Sequence, residues 1–148
     1  MPVLTTDILV EGHRRDDVLD WLAQPAHHGT LLRGAFHGVE EHGPGHYTLV
    51  LRVGPLPRRV TYRFDRVDAD HGGRRVLVTT QGGRVDGHLH YSLRTVKPST
   101  NTMVTLHLDY HTGGPLGLVL EQIGLRTALE AGARTILQNL ARALPAPT

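Results

Sequence analysis

The stretch "GHLHYSL", residues 87–93, places His88 and His90 one residue apart. On a β-strand, residues i and i+2 point to the same face, and paired imidazoles on one face can hold a metal. A hairpin across "KPSTNT" brings a second set near them. A register that sets His88 opposite His111, His90 opposite Asp109, Ser92 opposite His107 and Arg94 opposite Thr105 gathers four imidazoles and a carboxylate, a donor set suited to zinc, nickel or iron. The chain has no cysteine, so thiolates and disulfides play no part. The residues between the histidines argue the other way. Leu89, Tyr91 and Leu93 form the alternate face, and register follows whichever face is buried. With the apolar face inside, the histidines lie outside, whereas activating a metal-bound water calls for a protected cavity. We therefore assign no metal and no cofactor here, and keep a His-rich metal site as the third reading.

The elements that position these residues follow from periodicity. "TDILVEG" (6–12) predicts a first strand. "RRDDVLDWLAQPAHHGTLL" changes to helical spacing at Val18, Trp21 and Leu22; Asp16 and Asp17 favour a helix N-terminus, and Pro25 divides two short helices. From 33 to 112 the chain predicts six strands, at 33–41, 46–54, 59–69, 74–81, 86–97 and 102–112. Short Gly/Pro/Asn/Asp turns separate them, too short for a helical crossover, so the strands pair antiparallel as a meander. Alternation gives one apolar, aromatic face: Tyr47, Leu49, Leu51 and Val53; Val60, Tyr62 and Phe64; Leu89, Tyr91 and Leu93; Val104, Leu106, Leu108 and Tyr110.

That face needs a cover, and residues 113–144 supply one. A continuous helix of up to about 29 residues is roughly 44 Å long at 1.5 Å per residue. Leu129, Ala133, Ile136, Leu137, Leu140 and Leu144 form one stripe of its second half. Its first half is apolar nearly all round, through Leu116, Leu118, Val119, Leu120, Ile123 and Leu125. This suits core, the lip of a ligand cavity, or a homodimer contact. Gly117, Gly124 and Gly132 each cost a helix about 1 kcal/mol against alanine, which close packing or room for a ligand would compensate.

At 148 residues the chain is the size of a single domain, 1–148. Its 16 basic and 14 acidic residues nearly balance, and the basic ones are 15 arginines and Lys97, scattered rather than striped with aromatics, which argues against a nucleic-acid partner. "MPVLTTDILVEG" lacks the pattern of a signal peptide, and no run of 18 apolar residues provides a membrane span, so a cytoplasmic location is expected. Nucleophile-elbow, P-loop and dinucleotide motifs are all missing from the sequence.

Four stretches carry a family likeness. "DDVLDWLAQP" resembles the first helix, "GGRVDGHLHYSL" the turn and sixth strand, "NTMVTLHLDYHTGGPLG" the last strand and entry to the final helix, and "LEAGARTILQNLARAL" the end of that helix, in the polyketide cyclase/dehydrase branch of the START-like (SRPBCC) superfamily. One departure is "PAHHGTLL", where that family often carries an aromatic. The resemblance implies an α+β helix-grip fold. A curved antiparallel sheet of six or seven strands wraps a long C-terminal helix, with two short N-terminal helices and an apolar cavity between sheet and helix. With that cavity, the apolar face and helix read above give a site lined by Tyr47, Leu49, Tyr62, Phe64, Leu89, Tyr91, Leu93, Leu106, Leu108, Tyr110, Leu120 and Ile123. The leading expectation is a binding module for a lipid-like, polyketide-like or aromatic molecule, oriented by tyrosine hydroxyls. The alternative is a cyclase or dehydratase using the same cavity, which needs an inward acid or base beyond tyrosine; no catalytic residue is assigned.

Overall fold

The computed structural model describes residues 3–53, 55–68, 74–82, 86–96, 101–111, 115, 119 and 124–144. Strand β1 (Val3–Val10) leads into helix α1 (Arg15–Leu22), a 3-10 turn (Pro25–His27) and helix α2 (His28–Leu32). Six strands follow: β2 (Gly38–Gly43), β3 (His46–Val53), β4 (Leu56–Asp68), β5 (Arg75–Gln81), β6 (Asp86–Val96) and β7 (Asn101–His111). Helix α3 (Leu125–Ala143) closes the fold. The strands form one antiparallel sheet in the order β1-β7-β6-β5-β4-β3-β2: the meander, with β1 added beside its last strand. This is the expected helix-grip architecture.

Alternation does the work anticipated of it. β3 and β7 bury every second residue, and the inward side chains form one core with Leu125, Leu129, Ala133, Ile136, Leu137 and Leu140 of α3. Aspartates 16 and 17 occupy the first turn of α1, where the helix dipole favours them. In α1 the fully covered residues are Val18, Leu19 and Leu22, while Trp21 is only partly covered and stacks on His27. Asn139, on the polar side of α3, donates Nδ2–H bonds to the carbonyls of Leu31 (2.8 Å) and Arg33 (2.7 Å). These satisfy carbonyls at the end of α2 and tie it to α3.

Three expectations need correction. The β6–β7 register is two residues tighter than anticipated: His88 faces Asp109, His90 faces His107, Ser92 faces Thr105, Arg94 faces Met103, and His111 faces Asp86. The cause is that β6 ends at Val96 and β7 starts at Asn101, so the connection is two residues shorter than "KPSTNT", both at its C-terminal end. A shift of two leaves every side chain on its own face. Residues 33–37 are a turn rather than the start of β2. Gly34 adopts φ 74°, the Ala35 N–H donates to Leu32 O (3.1 Å), and the His37 N–H donates to Val50 O (2.9 Å). Finally, the last helix is not continuous from 113: Gly124 precedes α3 with φ 109° and ψ 26°, outside helical space. A Cβ at Gly124 would meet no atom within 4 Å, so its conformation alone requires glycine. Gly124→Ala should therefore cost about 1–2 kcal/mol and lower the melting temperature by about 2–8 °C; an unchanged melt by circular dichroism would show that the turn is not held at positive φ.

Candidate functional site

The concave face of the sheet carries the predicted lining. Tyr47, Leu49, Tyr62, Leu89, Tyr91, Leu93, Leu106, Leu108 and Tyr110 all point inward and are buried, and Phe64 packs partly buried against them. Leu120 and Ile123 lie outside the described residues. Between sheet and α3 remains a cavity of about 30 Å³, lined by Phe36, Leu49, Leu51, Val60, Tyr62, Thr80, Leu89, Leu108, Leu129 and Ile136. Four of the predicted residues, Leu49, Tyr62, Leu89 and Leu108, touch this space. Pockets that hold drug-sized molecules measure about 300–1,000 Å³, so a ligand of that size enters only if side chains move.

That surface is apolar throughout, and one of the residues lining it, Thr80, keeps a polar atom buried behind it. Thr80 is 6% exposed and its Oγ1 finds no hydrogen-bond partner among the described residues. A buried hydroxyl left in that state costs about 1–3 kcal/mol. Thr80 sits in a row running across the sheet, Tyr47–Tyr62–Thr80–Gly87–Tyr110, built by the pairings of β3 through β7.

Beside the cavity lies a buried chain of hydrogen bonds centred on His28, which is 0% exposed. Its Nε2 lies 2.8 Å from Leu22 O and its Nδ1 2.6 Å from the Tyr62 hydroxyl, itself 2.8 Å from the Tyr91 hydroxyl. A carbonyl only accepts, so Nε2 carries the proton and Nδ1 accepts from Tyr62 O–H; Tyr62 in turn accepts from Tyr91 O–H. Burial pushes His28 down to about 4 and raises both phenols, so all three groups are neutral at physiological pH. The His28 ring also meets Phe64 edge-on, 5.2 Å between centroids. Spacing in β6 and β7 draws attention to the paired histidines and away from His28, yet His28, Leu31 and Leu32 have the i, i+3, i+4 spacing of a buried helix face.

This network answers part of the chemical question. The protons of Tyr62 and Tyr91 are already committed, and the Tyr47 hydroxyl lies 3.4 Å from both Gly45 N and Pro25 O. These three tyrosines therefore bond to protein groups, and orienting a ligand with them requires a change of partner. His28 is an inward base, but a neutral one whose two nitrogens are both engaged.

On the outer face, His88 is exposed and His90 half-buried, as the alternation required. His90 stacks on His107 with centroids 4.7 Å apart and rings 21° from parallel, and His107 Nε2 lies 3.7 Å from Asp109 Oδ2. Partial burial, followed by the neighbouring His107 and Arg75, lowers the His90 pKa. The observed register faces His88 and His111 with carboxylates, Asp109 and Asp86, instead of with each other, and near-parallel rings do not aim their lone pairs at one point. Among the described residues no group of three or more His, Asp or Glu side chains is arranged to hold a metal.

A groove of about 530 Å³ opens between α2 and the β2–β3 hairpin, lined by Ala26, Gly29, Thr30, Arg33, Gly34, Phe36, His37, Gly38, Val39, Glu41 and Tyr47. Phe36 thus lines both this groove and the interior cavity.

No protein-family model and no curated protein matches the chain. Solved structures do. An aromatase/cyclase, Zhui, from a Streptomyces strain superposes with a TM-score of 0.64 at 15% identity, over 95% of this chain and 92% of that one. Norcoclaurine synthase from Thalictrum flavum, a point mutant in complex with a transition-state analogue, gives 0.62 at 20% identity, over 95% and 94%. A START superfamily protein from Mycobacterium smegmatis gives 0.59 at 11% identity, over 95% and 97%. At these identities the likeness speaks for the fold.

Proposed function

We propose that this chain, which has the START-like helix-grip fold, binds a hydrophobic small molecule between the sheet and α3. One observation carries the reading. Where sheet and helix meet, the core leaves a small apolar cavity of about 30 Å³ between Leu49, Tyr62, Leu89 and Leu108 on one side and Leu129 and Ile136 on the other. The driving force is removal of apolar surface from water, about 25 cal/mol per Å², and the Thr80 hydroxyl, buried behind the apolar wall, offers a polar contact once its side chain turns. Among the described residues no helix is long and apolar enough to cross a membrane.

The test is solvent extraction of untagged purified protein followed by mass spectrometry, together with titration of a panel of fluorescent lipids and polyphenols. A co-purified hydrophobic compound, or saturable binding of a panel member, is the expected result. Silence in both measurements overturns the reading.

A second reading, a cyclase or dehydratase working in the same cavity, draws on the His28–Tyr62 pair. The Tyr62 phenol can polarise a substrate carbonyl if its O–H, which His28 Nδ1 accepts, turns to the carbonyl oxygen instead, and two of the structural relatives are named as an aromatase/cyclase and a synthase. Tyr62→Phe would then abolish turnover of a bound polyketide while leaving its affinity within about threefold, a loss confined to the chemical step; equal turnover by both proteins removes the reading.

A further inference from the structure

Phe36 stands where three spaces meet: the interior cavity, the groove beside α2, and a pocket of about 170 Å³ shared with Ala35, His37, Leu51, Arg52 and Ala128. It is only partly buried, and it is carried by the 33–37 turn, outside the ladder of the sheet. Gly34, at φ 74°, lies two residues before it. A side chain on a turn is re-aimed by a few dihedral changes, without breaking strand pairing. Its seat is Gly132, in the middle of α3, where an added Cβ would overlap the edge of the phenyl ring. Glycine weakens a helix interior, and the Phe36 ring fills the hollow that Gly132 leaves.

We infer that Phe36 is the movable wall of the interior site, and that the group admitted when it swings out is a single ring bearing a hydroxyl or carbonyl oxygen, seated against Gly132 and bonded to Thr80 Oγ1. The inference rests on the binding reading above and sharpens it. Size sets the first limit. The ring that leaves makes room for a ring, and the adjoining cavity of about 30 Å³ adds space for only a substituent or so. A fused polycycle or a long acyl chain does not fit there; any remainder of the ligand lies in the groove, among Thr30, Arg33, His37 and Glu41. Chemistry sets the second limit. Thr80 and Phe36 line the same cavity, whose surface is apolar, so the Thr80 hydroxyl, without a partner among the described residues, meets the ligand by a turn about χ1 and then donates to a carbonyl or phenol oxygen or accepts from a phenol O–H.

The experiment uses xenon, benzene and phenol as probes, read by methyl chemical shifts of Leu49, Leu129 and Ile136. Under xenon pressure, Phe36→Ala should show a larger methyl response than wild type, and Phe36→Leu an intermediate one should the alanine variant fold poorly. Gly132→Ala, which denies the ring its seat without shortening it, should act in the same direction as Phe36→Ala. Equal xenon responses in wild type and all three variants overturn the gate, whatever the lipid and polyphenol panel shows. Phenol should bind Phe36→Ala about tenfold more tightly than benzene does, and Thr80→Val should erase that preference while leaving benzene unchanged, the size expected for one neutral hydrogen bond. An unchanged preference removes Thr80 from the site. If xenon enters Phe36→Ala but neither ring compound binds any variant, the wall is movable and the assigned ligand class is wrong.

Discussion

Replacing His28 with leucine should lower stability by about 3–5 kcal/mol at pH 8, the upper end of single-substitution effects, and should change how stability depends on pH. The imidazole is buried with both nitrogens engaged, so its loss takes the donor from the Leu22 carbonyl and leaves the Tyr62 hydroxyl with Tyr91 alone, in a core the shorter branched side chain does not refill. An orphaned buried group costs about 1–3 kcal/mol, and misfitted packing about 1–3 kcal/mol more. The pH effect has a definite sign. His28 titrates near 4 in the folded protein against 6.5 for the free side chain, mainly because burial opposes its charged form. Between those values the unfolded chain holds a proton that the folded chain refuses, so stability from this residue is complete above about pH 7.5, falls as pH drops through 6.5, and levels off below 4. The leucine variant lacks this limb. The stability gap between the two proteins should narrow by about 2 kcal/mol from pH 8 to pH 5. Urea denaturation at both pH values measures it, with His88→Gln, at an exposed outward position, as the control. A gap that stays constant would show that His28 is not held neutral.

Period-two alternation made the faces of the sheet legible and left the register open. The β6–β7 pairing slid by two residues between expectation and structure, yet Leu89, Tyr91 and Leu93 stayed inward and His88 and His90 outward, because two is the period of the pattern. What alternation cannot show is where a strand begins when apolar and polar residues alternate by chance. "RGAFHGVEE" reads as a continuous strand, whereas Gly34 at positive φ turns the chain and leaves Phe36 on a turn beside the cavity. The same limit applied to the last helix. Its apolar residues continue with helical spacing on both sides of Gly124, and spacing does not reveal that this glycine adopts φ 109°. His28 was hidden for a different reason: its role depends on Tyr62, 34 residues away, which only the packed fold brings within 2.6 Å. The partnerless hydroxyl of Thr80 is a tertiary property of the same kind.

Gly87→Ala should be as damaging as the loss of His28, for a wholly different reason. A Cβ on Gly87 would overlap the Asp109 carbonyl oxygen and lie 2.9 Å from the Tyr110 Cα. Both are backbone atoms of β7, so no side-chain rotation relieves the clash, and the hairpin must part where Gly87 pairs with Tyr110. Overpacking costs about 1–3 kcal/mol where side chains can yield; with backbone on both sides, a loss of at least about 3 kcal/mol is expected. Gly43→Ala is the matched control, because a Cβ there meets nothing within 4 Å. The neighbouring Asp86 contributes differently: its Oδ1 accepts the Gly82 N–H at 2.8 Å, bracing the turn into β6 from an exposed position, so Asp86→Ala should cost only about 1 kcal/mol. Equal losses for the Gly43 and Gly87 variants in urea denaturation would remove the argument. The consequence reaches the candidate site. The Asp86–Gly87 pair that leads into "HLHYSL" sets how closely β6 approaches β7, and so fixes Leu89 and Tyr91 on the wall they share with Leu108 and Leu106. Ligand uptake in a Gly87 variant should therefore fall in proportion to the stability lost, reporting displacement of that wall, whereas Thr80→Val should weaken uptake of an oxygen-bearing ring with the fold intact.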